Sequence, residues 1–386
     1  MQVITTQKGS YDIIVVGGGI AGVSSALSAV RQGKKVLLIE KHINLGGLAT
    51  IGLISWFEPL CDGNYRQMIG GIGQELLQLA ISCGYDNLPK HWGGTSGNEQ
   101  SSERFSSFYS PTFFSLVLDK LLRDNGVEIL YDTLATYPQM EGNICQGVIV
   151  ENMDGRAFYG AKVVIDATGD ATVAHRAGIP TRNHQNAQTL VVHDVDKQKA
   201  MEFVETNNMT KLRHWQWLKP SNDKLEEVNV QVVNEYLARC KQTALHNYDG
   251  IDKNLREIMS LPQMPQIRVI RTVVGDVTFK GEQCDRDKAV TQSIGSMGDF
   301  AHNGYRFDIP YGCIFNSQFP NILFAGRIVS AVDNGIGVLR VIPGCCVTGQ
   351  AAGVTASVMI DQSTNFADSY PSVRKKLEQD GVFFRI

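Results

Sequence analysis

Along the chain the apolar positions fall into two kinds of run. Short, nearly unbroken and often β-branched runs recur at 11–16 (YDIIVV), 34–40 (KKVLLIE), 128–134 (EILYDTL), 161–166 (AKVVID) and 321–325 (NILFA). Apolar on both faces, they predict strands buried within a parallel sheet. Residues Ile20–Arg31 instead space small and aliphatic side chains at the helical period, and predict a helix between the first two strands. Within 136–165 the runs NICQGVIVE and GRAFYGAKVVIDA are joined through Asp154-Gly155, a hairpin signal. Residues 196–208 and 222–247 are charged with helical apolar spacing, and predict surface helices. Near the end, GQAAG (349–353) is expected to open a helix of small residues.

Composition narrows the class. A chain of 386 residues exceeds the usual size of one core, so two domains are expected. With 43% hydrophobic and 19% charged residues it reads as globular, and a net charge of −3 gives no ground for a nucleic-acid partner. The start, MQVITTQKGS, lacks the layout of a secretory signal. No stretch reaches the roughly 20 apolar residues of a membrane span, so a cytoplasmic chain with no membrane partner is expected. None of the eight cysteines forms a C-x-x-C pair, which predicts buried small residues and no metal site.

The first strand runs straight into Gly17-Gly18-Gly19-Ile20-Ala21-Gly22. This G-x-G-x-x-G stands after a strand and before a helix. Gly17 permits the sharp turn, Gly19 lets a pyrophosphate approach the backbone, and Gly22 lets helix and strand pack closely. The free N–H groups of the helix start supply the anion site. Glu40 ends the second strand, where a carboxylate can accept both hydroxyls of an adenosine ribose and repel a 2′-phosphate. The residues themselves read as far as a dinucleotide, NAD or FAD.

A second small-residue loop follows at Gly46-Gly47, with Ala49 and Thr50 behind it, and a third at Ala167-Thr168-Gly169 after VID. These segments, with NILFAGR (321–327) and GQAAG, resemble the FAD-dependent oxidoreductases of the glutathione-reductase-like flavoprotein superfamily. More narrowly, IRVIRTVVGD (267–276), DIPYGCI (308–314) and AGRIVSAVDNGIGVLRVIPGCCVTGQAAG (325–353) resemble the "FAD-dependent oxidoreductase" family found widely in bacteria. The resemblance does not extend over 180–260. Two departures, Thr272 where a basic residue is expected and Ala171-Thr172 in place of a glycine–acid pair, bear on substrate class and not on cofactor. It implies FAD with its ADP half on Gly17, Gly19, Ile20, Ala21, Gly22 and Glu40. Lys41 and the Gly46, Gly47, Ala49, Thr50 loop would run beside the pyrophosphate and ribityl chain. Leu134 would contact adenine, with Ala167, Thr168 and Gly169 lining the same side. Gly326, Arg327, Gly337, Arg340, Val341 and Ile342 would hold the flavin end, with a helix N-terminus facing the pyrimidine ring.

The fold expected is α/β: a discontinuous Rossmann-type FAD-binding domain (1–55, 112–180 and 305–386) with an inserted α+β substrate or cap domain (56–111 and 181–304). A cleft between two domains is a common ligand site. The function expected is a dehydrogenase or oxidase that takes a hydride from a small organic substrate. The alternatives are a flavin monooxygenase or halogenase, and a non-catalytic flavin- or NAD-binding module. Candidate catalytic residues are Arg271, on a strand that meets the cleft in the family, His302 in the loop GDFAHNG as a base, and Tyr311 as a hydrogen-bond donor. His42 lacks the spacing of a covalent flavin anchor, and Cys345-Cys346 lack the pattern of a redox relay. Trp215-Gln216-Trp217-Leu218-Lys219-Pro220 approaches a halogenase signature but carries Lys219 in place of isoleucine. The tail from Tyr370 to Ile386 is a candidate contact for a second copy of the chain.

Overall fold

The computed structural model describes residues 5–82, 106–187, 190–206, 209–212, 214–218, 224–225, 229–282 and 290–384. Cys83, Cys284, Lys219 and Pro220 lie outside the described residues. Strand β1 (Thr6–Val16) leads into helix α1 (Ile20–Arg31) and strand β2 (Val36–Ile39), the expected βαβ unit. β1 starts five residues earlier than its apolar run. Its exposed Thr6–Ser10 half still pairs with the strand Gly155–Asp166, because backbone pairing does not require apolar side chains.

The main sheet runs in the order Glu128–Leu130, β2, β1, Gly155–Asp166, Ile144–Asn152, Leu134–Glu141. The first four are parallel, and the last two form an antiparallel extension through the hairpin at Gly155, whose φ is +96°. Ile322–Phe324 pairs in parallel with Val164–Asp166, the far end of the strand whose near end pairs with Ile144–Asn152. One long strand therefore serves two neighbours along one edge. Its parallel half brings Ala325 and Gly326 level with Ala167.

Helix α1 packs on the long helix Ile342–Gln362. GQAAG lies in the middle of that helix, not at its start; Pro343 stands in its first turn, where a missing N–H costs nothing. The small residues serve contact. A Cβ on Gly349 would lie 2.4 Å from the Ala21 carbonyl oxygen, and one on Gly353 would lie 2.3 Å from that of Ser25. The Ser25 and Ser28 hydroxyls donate to the carbonyls of Gly349 and Gln350, both at 3.0 Å.

Two hydrophobic cores result. The larger surrounds the main sheet and takes in Phe57, Leu76, Tyr109 and Met297. The smaller holds Leu190, Val192, Leu218, Tyr236, Cys240 and Ile267. It lies between the helix Val230–Tyr248 and a three-stranded sheet of His214–Leu218, Leu190–Asp196 and Arg256–Ser260. The expected helices near 196–208 and 222–247 appear as Lys197–Thr206 and Val230–Tyr248. The six described cysteines are buried and form no disulfide. Among the described residues no single helix is long and apolar enough to cross a membrane.

Candidate cofactor cleft

Three small-residue turns meet at the ends of the parallel strands. β1 turns at Gly17, whose φ of +103° is left-handed and whose added Cβ would lie 2.5 Å from the Ala167 carbonyl oxygen. A Cβ on Gly22 would lie 1.8 Å from the Gly17 carbonyl oxygen, so only hydrogen lets α1 seat on the turn. Gly19 differs: nothing stands within 4 Å of a Cβ added there, because its open side faces the cleft. Gly19 caps α1 with no side-chain bond, and the first turn of the helix carries no acid. Its N–H groups are left for an anion.

Glu40 is nearly buried. One carboxylate oxygen accepts the Gly18 N–H at 2.6 Å and the other accepts the His42 N–H at 2.8 Å. A carboxylate has about four lone-pair sites. Glu40 is thus locked in place with acceptor capacity left toward the cleft it lines. Lys41, Leu134, Thr133 and Ala135 complete this end. His42 also lines it; its Nε2 is buried with no hydrogen-bond partner, and burial pushes its pKa down. Gly46 donates its N–H to the Gly18 carbonyl at 2.8 Å and joins the second turn to the first. Ala49 faces the cleft with Gly46 and Gly47. Thr50 does not, its hydroxyl being bonded to the Leu45 carbonyl behind the loop.

Ala167, Thr168, Gly169, Asp170 and Thr172 form the middle. They are pinned by Asp166, which accepts from the Thr168 N–H and hydroxyl and from the Ala174 N–H. Burial raises its pKa to about 6 despite those bonds. At the far end stand Gly326, Arg327, Arg340, Ile342, Cys345 and Met264, with Ile20 and Ala21 beneath. Arg327 donates to the carbonyls of Ile267 and Arg268 at 2.5 and 2.9 Å, and burial lowers its pKa. Burial, then repulsion by Arg268 and Arg327, lowers that of Arg340 to about 10. The helix Ile342–Gln362 begins here, with no acid in its first turn. Gly22, Gly337 and Val341 support lining residues without lining the cleft themselves.

The three catalytic candidates do not line it either. Arg271 stands closest, its guanidinium donating to the Asp170 carbonyl at 3.2 Å. His302 is exposed. Its Nδ1 lies 2.8 Å from the Asp299 carboxylate, which also accepts from Asn334 at 3.1 Å. Tyr311 is fully buried in the core. Its hydroxyl lies 2.8 Å from that of Ser369, its ring packs on Phe315 and Tyr370, and burial raises its pKa to about 12. Sequence reasoning did not select Asp170, Met264, Thr133 or Ala135. Asp170 directly follows the Ala167-Thr168-Gly169 turn; Met264 lies in no motif and arrives by chain folding alone.

The fold and these turns define a dinucleotide-binding α/β enzyme. A family model described as FAD dependent oxidoreductase matches residues 12–251 and 190–377. The chain belongs to that family: it is an oxidoreductase and its cofactor is FAD. It is similar to the digeranylgeranylglycerophospholipid reductase of Methanoculleus marisnigri, 26% identical over 244 residues, or 58% of this chain and 56% of that one. It is also similar to the 1H-pyrrole-2-carbonyl-(peptidyl-carrier protein) brominase of Pseudoalteromonas luteoviolacea, 23% identical over 250 residues, or 60% and 57% of the two chains. The chain spans little more than half the length of these two relatives. A geranylgeranyl bacteriochlorophyll reductase-like structure from Thermoplasma acidophilum aligns with a TM-score of 0.48 at 16% identity, covering 97% of this chain and 83% of that one.

Proposed function

We propose that this enzyme is a dehydrogenase or oxidase of the glutathione-reductase-like superfamily that removes a hydride from a small organic substrate. The carrying observation is the cleft's polarity. A locked acid stands at one end, guanidiniums and the N-terminus of the helix Ile342–Gln362 at the other, and the α1 N-terminus between them. The lining suits FAD: the open side of Gly19 faces space that a ligand would fill. When bound, the flavin supplies an acceptor for two electrons and a proton.

The chain's own residues orient and charge the site. In this reading the α1 N-terminus holds the diphosphate, Glu40 the ribose, and Leu134 with His42 the adenine. Arg340 and the start of Ile342–Gln362 place positive potential where the reduced ring gains charge. His302, oriented by Asp299, serves as the base, and Arg271 fixes the Asp170 carbonyl beside the middle turn. The division we infer gives the sheet lobe the cofactor and residues 56–111 and 181–304 the substrate side; the separate small core supports it for the stretch from Leu190 to Ile267, whereas Phe57, Leu76, Tyr109 and Met297 pack in the larger core.

A second reading, a flavin monooxygenase or halogenase, draws on the brominase relative and on Trp215-x-Trp217. Anaerobic addition of a panel of small metabolites to the FAD-loaded enzyme separates the two. Bleaching of the flavin by a substrate alone is the expected result. Bleaching only by a nicotinamide donor, followed by oxygen-dependent modification of substrate, would favour the second reading.

A further inference from the structure

One irregular segment ties the two sides of the cleft together. After the strand Arg256–Ser260, residues 261–266 form no helix or strand and return to the smaller core at Ile267. At one end of this segment the Gln263 N–H donates to the Ile51 carbonyl at 2.9 Å, and the buried Gln266 amide donates to the Gly52 carbonyl at 2.7 Å. Gly52 in turn donates its N–H to the carbonyl of the cleft-lining Gly47 at 3.0 Å. At the other end the Ile267 and Arg268 carbonyls accept from Arg327, which stands against the Gly169 turn. Residues 263–268 therefore form a strap from the second turn to Arg327. Gln266 also exchanges two bonds with the Val191 backbone, at 2.6 and 3.1 Å, so the strap is anchored to the small sheet as well.

Met264 is the residue of the strap that lines the cleft. Pro265 behind it restricts its backbone to extended conformations. Its side chain is half-buried and packs in neither hydrophobic core. An apolar side chain held at an open cleft gains from burial when a ligand covers it. A thioether is well matched to a flat aromatic ring, where its polarisable sulfur makes favourable contacts.

We propose that Met264 is a cofactor-contact residue: the strap lays its thioether against the isoalloxazine ring and so ties the bound flavin to the smaller core. The inference rests on FAD lying with its flavin at the Arg327–Ile342 end.

ADP is the discriminating probe, because it carries the half of FAD assigned to α1 and Glu40 and lacks the ring. In titrations of the apoprotein, Met264→Ala is expected to weaken FAD about ten-fold and to leave ADP unchanged. Met264→Leu, which restores the apolar volume, should keep FAD affinity within about three-fold of wild type. The absorption band of the bound flavin should change in Met264→Ala, and the melting temperatures of both variant apoproteins should match wild type. Unchanged FAD affinity in Met264→Ala, or an equal loss for FAD and ADP, would overturn the proposal. Failure of ADP to compete with FAD on the wild-type protein would instead fault the cofactor placement itself.

Discussion

At the scale of residues, the glycines of the first turn separate folding from binding. Gly17 and Gly22 are demanded by the fold; Gly19 is demanded by the ligand. Its φ is −66° and ψ is 176°, values any residue adopts, and its added Cβ meets nothing. Gly19→Ala is therefore expected to leave the unfolding free energy of the apoprotein within about 0.5 kcal/mol of wild type. FAD affinity should fall at least about ten-fold, read by flavin fluorescence titration. Gly22→Ala should instead destabilise the apoprotein by about 1–3 kcal/mol.

Asp166 carries a pH dependence at the same scale. Its folded pKa of about 6 stands above the ordinary 3.8, so folding disfavours its charged form. The penalty is absent below about pH 4, where both states are protonated, and complete above about pH 6. At ~1.4 kcal/mol per pKa unit it approaches about 3 kcal/mol. Asp166→Asn removes this titration. The variant's stability relative to wild type should improve by about that amount between roughly pH 4 and pH 7, whatever the constant cost of the changed hydrogen bonds. Urea denaturation across that range checks it. A flat difference would mean that the bonds from Thr168 and Ala174 keep the carboxylate charged.

At the scale of elements, the decisive contact is α1 against Ile342–Gln362. Both helices present small residues, and two serine hydroxyls cross to the opposing backbone. Because α1 also presents its N-terminus to the cleft, its position on the long helix governs the cofactor as well as the core. Gly353→Val is expected to cost about 1–3 kcal/mol by forcing the helices apart, and to reduce FAD retention on gel filtration in parallel. The segment from Gly349 signals a small-residue helix in the sequence. The helix begins seven residues earlier, at Ile342, because proline in a first turn is a start signal that the apolar pattern of 336–347 obscures.

At the scale of the molecule, cofactor and fold are linked by mass action. FAD at a hundred times its dissociation constant should add about 2.7 kcal/mol to the stability of the folded chain. The melting temperature should rise with FAD and stay constant with NAD at the same concentration. A larger shift with NAD would contradict the flavin assignment. The legible parts of the site are those whose chemistry is local: Gly17 to Gly22, Glu40, the Gly46 turn, the turn after Asp166 and the Gly326–Ile342 stretch all stand in the cleft or directly behind it. Tyr311 shows the opposite case. The sequence makes it a candidate hydrogen-bond donor to substrate, and packing against Phe315, Tyr370 and Ser369 buries it.

The sequence by itself determined the βαβ unit, the three turns and a dinucleotide site, with FAD following from the family resemblance. A phosphate-binding turn needs only adjacent residues with the right backbone freedom and a helix start behind them. What only the tertiary structure decided is which distant groups share the cleft. Met264 and Ala135 reach it from segments with no motif. Their proximity comes from packing between elements far apart in the chain, and no local pattern records it.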